Sequence, residues 1–327
     1  MGLAAARGAE GAAAERGRDT WSTVPAWVYP QNRPSSAEAP YDGLKPLHVP
    51  HSTVMLTEAQ LNDLFTAPDW FPESHSPMPE VVARGRAPDV YACGYCHTPG
   101  GQGRPENASL AGLPAPYIVQ QMADFKSGTR HSAWLGPYRP ADRMIHTATY
   151  ATDDEVESAA EYFSEQRLKS HVRVVERSRV PRSRVVGWVY VDIPGAGDEP
   201  LGERLLEFAP DAHRHESRDD ELRYIAYVPR GSIGRGRSLA NIGANGTTMA
   251  CIACHGDRLQ GVGLVPGLAG RSPTYLLRQL FAFQTGARSA ATAQPMLPVV
   301  AKLKIRNMID VAAYAASLQP EAPTPVP

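Results

Sequence analysis

Two five-residue runs share one pattern, C-x-x-C-H: Cys93-Gly94-Tyr95-Cys96-His97 and Cys251-Ile252-Ala253-Cys254-His255. This pattern is typical of covalent attachment of a c-type haem. Two thiols three positions apart can each form a thioether with one vinyl group of the porphyrin, and the adjacent imidazole can bind the iron. All four cysteines of the chain fall in these runs. The sequence therefore predicts two covalently bound haem c groups, attached at Cys93, Cys96, Cys251 and Cys254, with His97 and His255 as iron ligands.

Other uses of paired cysteines fit the spacing less well. A four-thiolate zinc site usually has its two C-x-x-C units about 15–20 residues apart, whereas these two lie 158 positions apart. A redox dithiol or a structural disulfide would not need a histidine directly after the second cysteine in both copies. Haem attachment accounts for the whole pattern.

Composition narrows the class of protein further. The chain has 327 residues, enough for two or three modest domains. Its net charge of −1 gives no overall field that would favour nucleic acid. No run approaches the roughly 18 apolar residues that a membrane helix needs, so we expect no membrane span.

The expected compartment is the periplasm, because bacteria attach haem by thioethers outside the cytoplasmic membrane. Residues Met1 to Ala14 are rich in alanine and glycine and lack the apolar core of a signal peptide. We expect an exported protein whose signal peptide is absent from this sequence.

An internal repeat supports two similar domains. With a shift of 158, identities continue beyond the haem runs at Gln102-Gly103, Leu110-Ala111-Gly112, Tyr117, Gln121, Phe125, Gly128 and Arg130, which match Gln260-Gly261, Leu268-Ala269-Gly270, Tyr275, Gln279, Phe283, Gly286 and Arg288. Ser272 and Pro273 predict the start of a helix in the second copy. A Thr152–Glu155 capping box predicts the closing helix of the first copy, whereas Lys304 leaves the second closing helix without that cap.

Two methionines stand in register with the repeat. Met296 follows His255 by 41 residues and Met144 follows His97 by 47, and the difference is a six-residue insertion that we place in the 131–140 loop. A thioether is a soft ligand, so Met144 and Met296 are predicted to complete the two iron sites and to raise the haem potentials. The alternatives are that either methionine only fills core space, or that His146 replaces Met144.

The remaining segments differ from the two copies. Residues 170–230 contain β-rich runs at 171–175, 185–191 and 224–228. A charged stretch over 203–220 lies between the last two runs, and we expect it to be solvated. His213-Arg214-His215 could bind a metal, but such a pair in a charged loop is more often solvated. Residues 21–78 carry Trp21, Trp27, Tyr29, Tyr41, Trp70 and Phe71 and predict an extended arm, with a capped helix over about 57–65. Near 232 a helix capped by Ser232 should run to Ile242, although Gly234 and Gly236 weaken it.

The expected organisation is mainly α, with two haem domains, a β-rich connector and an N-terminal arm. Its segments are 1–20 disordered, 21–78 arm, 79–169 first domain, 170–230 connector, 231–320 second domain and 321–327 tail.

These residues resemble the class I cytochrome c family. The resemblance rests on the C-x-x-C-H run, the downstream Leu-Ala-Gly, the helix that ends in Gly-x-Arg, and a methionine ahead of a closing amphipathic helix, over roughly 80–168 and 232–320. It implies several α-helices wrapped around each haem. It also implies that a backbone carbonyl orients the proximal histidine: Pro266 has the family's residue type, and Ala108 departs from it, so we expect that carbonyl to be held less rigidly.

The resemblance implies an electron carrier between a donor and an acceptor redox protein, such as a dehydrogenase and a terminal oxidase or soluble cytochrome. One alternative is a two-haem peroxidase, which needs a haem with an open coordination position. Another is a dedicated cytochrome subunit of a periplasmic dehydrogenase.

Overall fold

The computed structural model describes residues 24–32 and 42–322. The predicted disorder over 1–20, together with Trp21, Tyr41 and most of the 321–327 tail, lies outside these residues.

The first copy consists of short and medium helices around the first haem run. They are α2 (Glu80–Ala83), α3 (Cys93–His97), α4 (Ala115–Lys126), α5 (Arg139–Tyr150) and α6 (Asp153–Glu165); an earlier helix, α1 (Glu58–Asn62), belongs to the arm. Helix α6 begins with the predicted capping box, in which Thr152 and Glu155 each accept a backbone N–H of the other. Its buried Ala160 and Phe163 pack with Ile118 of α4 in one apolar core.

The 131–138 stretch is irregular, and the helix that follows it carries Met144. The corresponding part of the second copy is a 3-10 helix (Ala291–Met296) followed by a single turn of α-helix. This difference in length falls where the insertion was predicted.

The second copy repeats this arrangement. Its helices are α8 (Ser232–Gly246), α9 (Ile252–His255), α10 (Pro273–Gln284), α11 (Leu297–Val300) and α12 (Ile305–Ser317), and α7 (Ala212–Glu216) precedes them in the connector. Ser272 caps α10 as predicted, since its hydroxyl accepts the Tyr275 N–H at 3.2 Å. Lys304 offers no side-chain acceptor, but Asn307 accepts the Lys304 N–H at 3.0 Å and satisfies one donor at the start of α12.

Helix α8 differs from the prediction at both ends. Gly231, with φ of 79°, is its N-cap, Ser232 lies inside it, and it continues past Ile242 to Gly246. Gly236 explains why a helix with weak propensity forms here: a Cβ at that position would lie 1.9 Å from the carbonyl oxygen of Asp310. The glycine lets α8 and α12 cross closely, and their packing outweighs the propensity cost.

The connector contains a five-stranded sheet with the order β3-β9-β8-β6-β5. Its strands are β3 (Val172–Glu176), β5 (Ser183–Val186), β6 (Val189–Asp192), β8 (Leu206–Phe208) and β9 (Tyr224–Val228), and β4 (Arg179–Pro181) pairs separately with β7 (Asp198–Pro200). Val186 pairs with Val189, so β5 and β6 are joined by a two-residue turn, Gly187-Trp188. Both turn residues have positive φ, which is typical of a type I′ hairpin.

The prediction that the charged stretch is solvated was wrong for several of its residues. Asp219, Asp220 and His215 are buried, and His213 alone of the H-x-H pair is exposed. Asp219 accepts from Arg214, and Asp220 lies 3.4 Å from the Gly100 N–H of the first copy. These groups are buried because the connector packs on the first copy, which a charge pattern alone does not reveal.

Described aromatic residues of the N-terminal segment pack on the rest of the chain. The indole N–H of Trp70 donates to Ser217 O at 2.7 Å, and Tyr29 stacks on Trp134 of the irregular 131–138 stretch at 5.9 Å. Its two short strands, β1 (Pro46–Leu47) and β2 (Leu56–Thr57), pair antiparallel. Helix α1 has the predicted Thr57–Gln60 capping box but ends at Asn62, because Asp63 accepts the Phe65 N–H and turns the chain.

Among residues 24–32 and 42–322, no helix is both long and apolar enough to cross a membrane.

Candidate haem sites

Helix α3 presents the first set of predicted groups. Cys93, Cys96 and His97 lie on its single turn, and His97 is 9% exposed. The His97 Nδ1 lies 2.8 Å from the carbonyl oxygen of Ala108. The ring is therefore held by the loop that follows the haem run.

The second set has the same construction. Cys251 is the N-cap of α9, which carries Cys254 and His255. His255 is 8% exposed, and its Nδ1 lies 2.8 Å from the carbonyl oxygen of Pro266. The expected looser carbonyl at Ala108 is not reflected in this distance, which is the same in both copies.

The carbonyl contact determines which ring nitrogen can bind iron. A carbonyl oxygen only accepts, so Nδ1 must carry the proton, and Nε2 keeps its lone pair. Burial lowers the pKa of both imidazoles and favours the neutral form that a metal ligand requires. Both histidines thus have the tautomer that an axial haem ligand needs.

No disulfide joins any of the four cysteines, all of which lie within the described residues. Burial raises the pKa of Cys93 to about 12 and that of Cys251 to about 11. A reactive redox dithiol usually has a lowered thiol pKa, so the burial of Cys93 and Cys251 does not favour this alternative. The zinc alternative does not fit either, because within the described ranges no three His, Cys, Asp or Glu side chains come together as a metal site.

Each predicted methionine ligand lies on a segment that has neighbours in or just before a haem run. Met144 is on α5, whose Pro140 and Arg143 line one pocket with Cys96. Met296 ends the 3-10 helix, and the next residues are tied to the segment before the second haem run by Thr248, whose hydroxyl donates to Val299 O at 2.6 Å. Both methionines are half-buried.

The His146 side chain contacts residues that lie outside the first haem run. Its Nε2 is 3.4 Å from the carboxylate of Asp89. Its ring stacks on Tyr91, with centroids 5.6 Å apart, and lies tilted against Tyr150, with centroids 4.9 Å apart. Residues two positions apart on a helix do not share a face.

Two buried arginines join the copies, and sequence reasoning did not assign them a role. Arg130 donates to Tyr275 and Gln279 of the second copy, at 2.8 and 3.2 Å. Arg288 donates to Gln121 of the first copy at 2.6 Å. Each of these residues has a match in the other copy, so the junction is a pseudo-twofold contact, and the repeat identities were the signal that could have revealed it.

The hydrogen-bond partners of these two guanidinium groups are neutral side chains. Burial, followed by the charge of Arg288, lowers the pKa of Arg130. Buried cations are normally paired with an anion, and a haem carries two propionates. The two buried guanidinium groups of the junction therefore fit the negative charge of haem propionates. In the same way, the two histidines fit the iron and the thiols fit the vinyl groups.

Known proteins similar to this chain are c-type cytochromes. Cytochrome c-554(548) of Halomonas halodenitrificans is 38% identical over 68 residues, which is 20% of this chain and 82% of the relative. Cytochrome c4 of Azotobacter vinelandii is 24% identical over 249 residues, 75% of this chain and 91% of the relative. The thiosulfate dehydrogenase electron acceptor of Thiomonas intermedia is 26% identical over 241 residues, 72% of this chain and 82% of the relative. No protein-family model matches the chain.

The match to the first of these relatives covers most of that relative, and the matches to the other two cover most of this chain. With an attachment pattern in each copy and an imidazole held by a carbonyl beside each pattern, the chain belongs to the class I cytochromes c and carries two covalently bound haem c groups.

Proposed function

We propose that this chain carries single electrons between redox proteins in the periplasm, through two six-coordinate haems ligated by His97 with Met144 and by His255 with Met296. The observation that carries this proposal is the duplicated geometry of the sites, in which each histidine Nδ1 lies 2.8 Å from a carbonyl oxygen. When bound, each haem supplies an iron that gains and loses one electron reversibly.

The protein's own residues hold and tune the two groups. Cys93 and Cys96, and their counterparts Cys251 and Cys254, form the thioethers. The carbonyls of Ala108 and Pro266 fix the histidine rings, which increases their basicity as ligands. A methionine at the sixth position favours ferrous iron and raises the potential.

The position of His146 supports Met144 as the ligand in the first site. On α5 these two residues point in different directions, and the His146 ring is already engaged by Asp89, Tyr91 and Tyr150. Because residues two positions apart lie on different faces of a helix, Met144 and His146 do not both point at one iron.

Arg130 and Arg288 are proposed to hold haem propionates at the junction of the two copies. Their neutral partners leave both charges uncompensated, and a carboxylate is the group that a buried guanidinium binds best. This arrangement would place both haems at one shared contact.

A dedicated electron-accepting subunit is the second candidate, and it is chemically the same carrier with one fixed partner. It is favoured by two relatives named as thiosulfate dehydrogenase electron acceptors, from Thiomonas intermedia and Stutzerimonas stutzeri. Co-purification from the native host with a dehydrogenase would distinguish this candidate from a freely diffusing carrier. A peroxidase is less favoured, because it needs a haem without a strong sixth ligand and a methionine is in register in both copies.

The visible spectrum of the ferric protein tests the proposed ligands. We expect two low-spin haems with the weak long-wavelength band of an iron–thioether bond. Met296→Ala should remove the part of that band due to the second haem, and Met144→Ala the part due to the first. Met249→Leu is the matched control, since this methionine lies two residues before the second haem run and is 54% exposed; it should leave the band unchanged. High-spin ferric haem with peroxide turnover, or an unchanged band in Met296→Ala, would contradict the proposal.

A further inference from the structure

The loop that follows each haem run is fully buried in the first copy and only partly buried in the second. All residues from 101 to 106 are buried, whereas among their counterparts 259–264 only 259 and 261 are buried, and Leu264 is 64% exposed. The two loops correspond by the repeat. Something outside the repeat therefore covers the first loop.

The haem runs themselves show the same asymmetry. Tyr95 is 4% exposed and its counterpart Ala253 is exposed. Cys96 is half-buried and its counterpart Cys254 is exposed. The side of the site that holds the second thioether cysteine is thus more covered in the first domain than in the second.

The connector provides the cover. The guanidinium of Arg218 lies 3.8 Å above the Tyr95 ring, hydrogen-bonds to the Tyr95 hydroxyl and donates to Leu61 O at 3.2 Å. Arg218 and Trp188 line one pocket together with Cys96, Arg104 and Arg143. This pocket has about 320 Å³ of space, part of it open to solvent.

Trp188 is held over this pocket at a conformational cost. It is the second residue of the β5–β6 turn, with φ of 66°, a region that Asn and Gly adopt far more readily than a bulky residue. A residue kept in such a conformation is a reason to look for a function. The position of Trp188 in the lining of this pocket supplies one.

The first loop is chemically matched to its cover. Arg104 and Glu106 form a buried ion pair, and His215 of the connector lies 4.0 Å from the same Glu106 oxygen. Their counterparts in the open loop are Val262 and Leu264. Charged residues therefore line the loop that the connector buries, and apolar residues line the loop that it leaves open.

We propose that Trp188 and Arg218 close the Cys96 edge of the first haem, so that outer-sphere electron exchange with other molecules takes place at the Cys254 edge of the second. This inference rests on the proposed function, because it assumes two haems that exchange electrons without binding a substrate at iron. Both residues are positioning residues: they limit approach to the first haem and leave its ligands unchanged.

Solvent approach to each edge can be measured by NMR on the ferrous, diamagnetic holoprotein with a neutral gadolinium chelate as the probe. We expect the chelate to broaden the thioether methyl resonance at Cys254 and to leave that at Cys96 sharp. Trp188→Asn keeps a residue suited to the turn and should make the Cys96 methyl broaden as well. Ile193→Asn is the control, since it also introduces asparagine in place of an apolar residue, at an exposed position directly after β6. It should leave the broadening of both methyl resonances unchanged. If Trp188→Asn does not fold, Arg218→Gln tests the other half of the cover.

Equal broadening at both cysteines in the wild type, or a Cys96 methyl that stays sharp in both Trp188→Asn and Arg218→Gln, would overturn the inference. Low-spin spectra recorded on the same samples distinguish this failure from failure of the proposed function, which would appear as high-spin or absent haem.

Rates of oxidation test the consequence for electron exchange. In full-length chains with one haem, Cys251→Ala/Cys254→Ala keeps the first haem and Cys93→Ala/Cys96→Ala keeps the second. Each ferrous haem loses one electron to the oxidant, giving ferric haem and ferrocyanide or the cobalt(II) complex. We expect the first haem to react more slowly with both anionic ferricyanide and cationic tris(phenanthroline)cobalt(III), and Trp188→Asn to raise both rates. A steric cover slows both oxidants, whereas a purely electrostatic effect of the arginines would change the two rates in opposite directions and would contradict the inference.

Discussion

At the residue scale, one hydrogen bond at each histidine determines which ring nitrogen can bind iron. The carbonyls of Ala108 and Pro266 hold the proton of His97 and His255 on Nδ1 and leave Nε2 for iron. The residue types could be predicted because the thiols and the histidine belong to one short pattern. The prediction of a less rigidly held carbonyl at Ala108 is not reflected in the distances, because the acceptor is a backbone oxygen that Ala108 and Pro266 both supply.

His215 shows the limit of pattern reasoning at this scale. Its place in a charged stretch suggested a solvated ring, but it is fully buried between the Tyr224 hydroxyl at 3.0 Å and Gly187 O at 3.0 Å. Burial, followed by the charge of Arg104, lowers its pKa to about 4. The burial arises from contacts between distant segments, for which the local sequence carries no signal.

This lowered pKa predicts a pH dependence of stability. The unfolded chain binds a proton at His215 near pH 6.5, whereas the folded chain resists it until about pH 4, so stability is lost as the pH falls through this window. Between pH 7 and pH 5 the loss from this group should be about 2 kcal/mol. His215→Gln should remove that loss, as measured by denaturant unfolding of the holoprotein at both pH values.

The shifted pKa of Asp220 has the opposite effect on the pH dependence of stability. Burial raises its pKa to about 6, so its contribution to stability is present at low pH and is lost as the pH rises through that value. The wild type can therefore have a flat profile, and only the difference between wild type and His215→Gln isolates the histidine. An identical pH dependence in the two proteins would refute a buried neutral His215.

At the element scale, the crossing of α8 and α12 depends on a glycine that weakens the helix it belongs to. The sequence predicted a closing helix in each copy, although without a cap residue in the second, but it underestimated α8, because Gly234 and Gly236 lower helix propensity. The structure assigns the two glycines different roles. Gly236 faces the Asp310 carbonyl, and Gly234 faces open space.

Substitution of these two glycines by alanine should therefore have effects of opposite sign. Gly236→Ala places a Cβ where only 1.9 Å separates it from Asp310 O, and the forced separation of the helices should cost about 1–3 kcal/mol of stability. Gly234→Ala meets no atom within 4 Å and should stabilise the helix by up to about 1 kcal/mol. Denaturant unfolding of the two holoproteins checks both values, and equal effects would show that the crossing is not close.

At the scale of the whole molecule, the repeat predicted two similar domains but not how they meet. Tyr117, Gln121 and Arg130 were found only as identities with Tyr275, Gln279 and Arg288. The structure brings these six residues together at one junction, where His131 N–H also donates to Ala287 O at 2.9 Å. The connector and the arm have no counterpart in the repeat, so their packing on the first domain could not be inferred from it.

The buried charges at this junction should raise the potential of at least one haem. Arg130→Gln or Arg288→Gln removes a cation that favours the electron-rich ferrous state, so the potential should fall. A unit charge about 10 Å away at an effective dielectric constant of about 20 corresponds to tens of millivolts. Spectroelectrochemical titration measures this shift, and Arg237→Gln, an exposed arginine on α8, is the control that should leave both potentials unchanged. Unaltered potentials in both junction variants would argue against propionate binding there.

The central claim is that both cysteine pairs carry covalent haem, and haem stoichiometry tests it most directly. The full chain, exported in a host that attaches haem c, should give a pyridine haemochrome equivalent to two haem c per polypeptide, and Cys251→Ala/Cys254→Ala should give one. A colourless polypeptide, haem that can be extracted with acidic acetone, or zinc in place of iron would contradict the account.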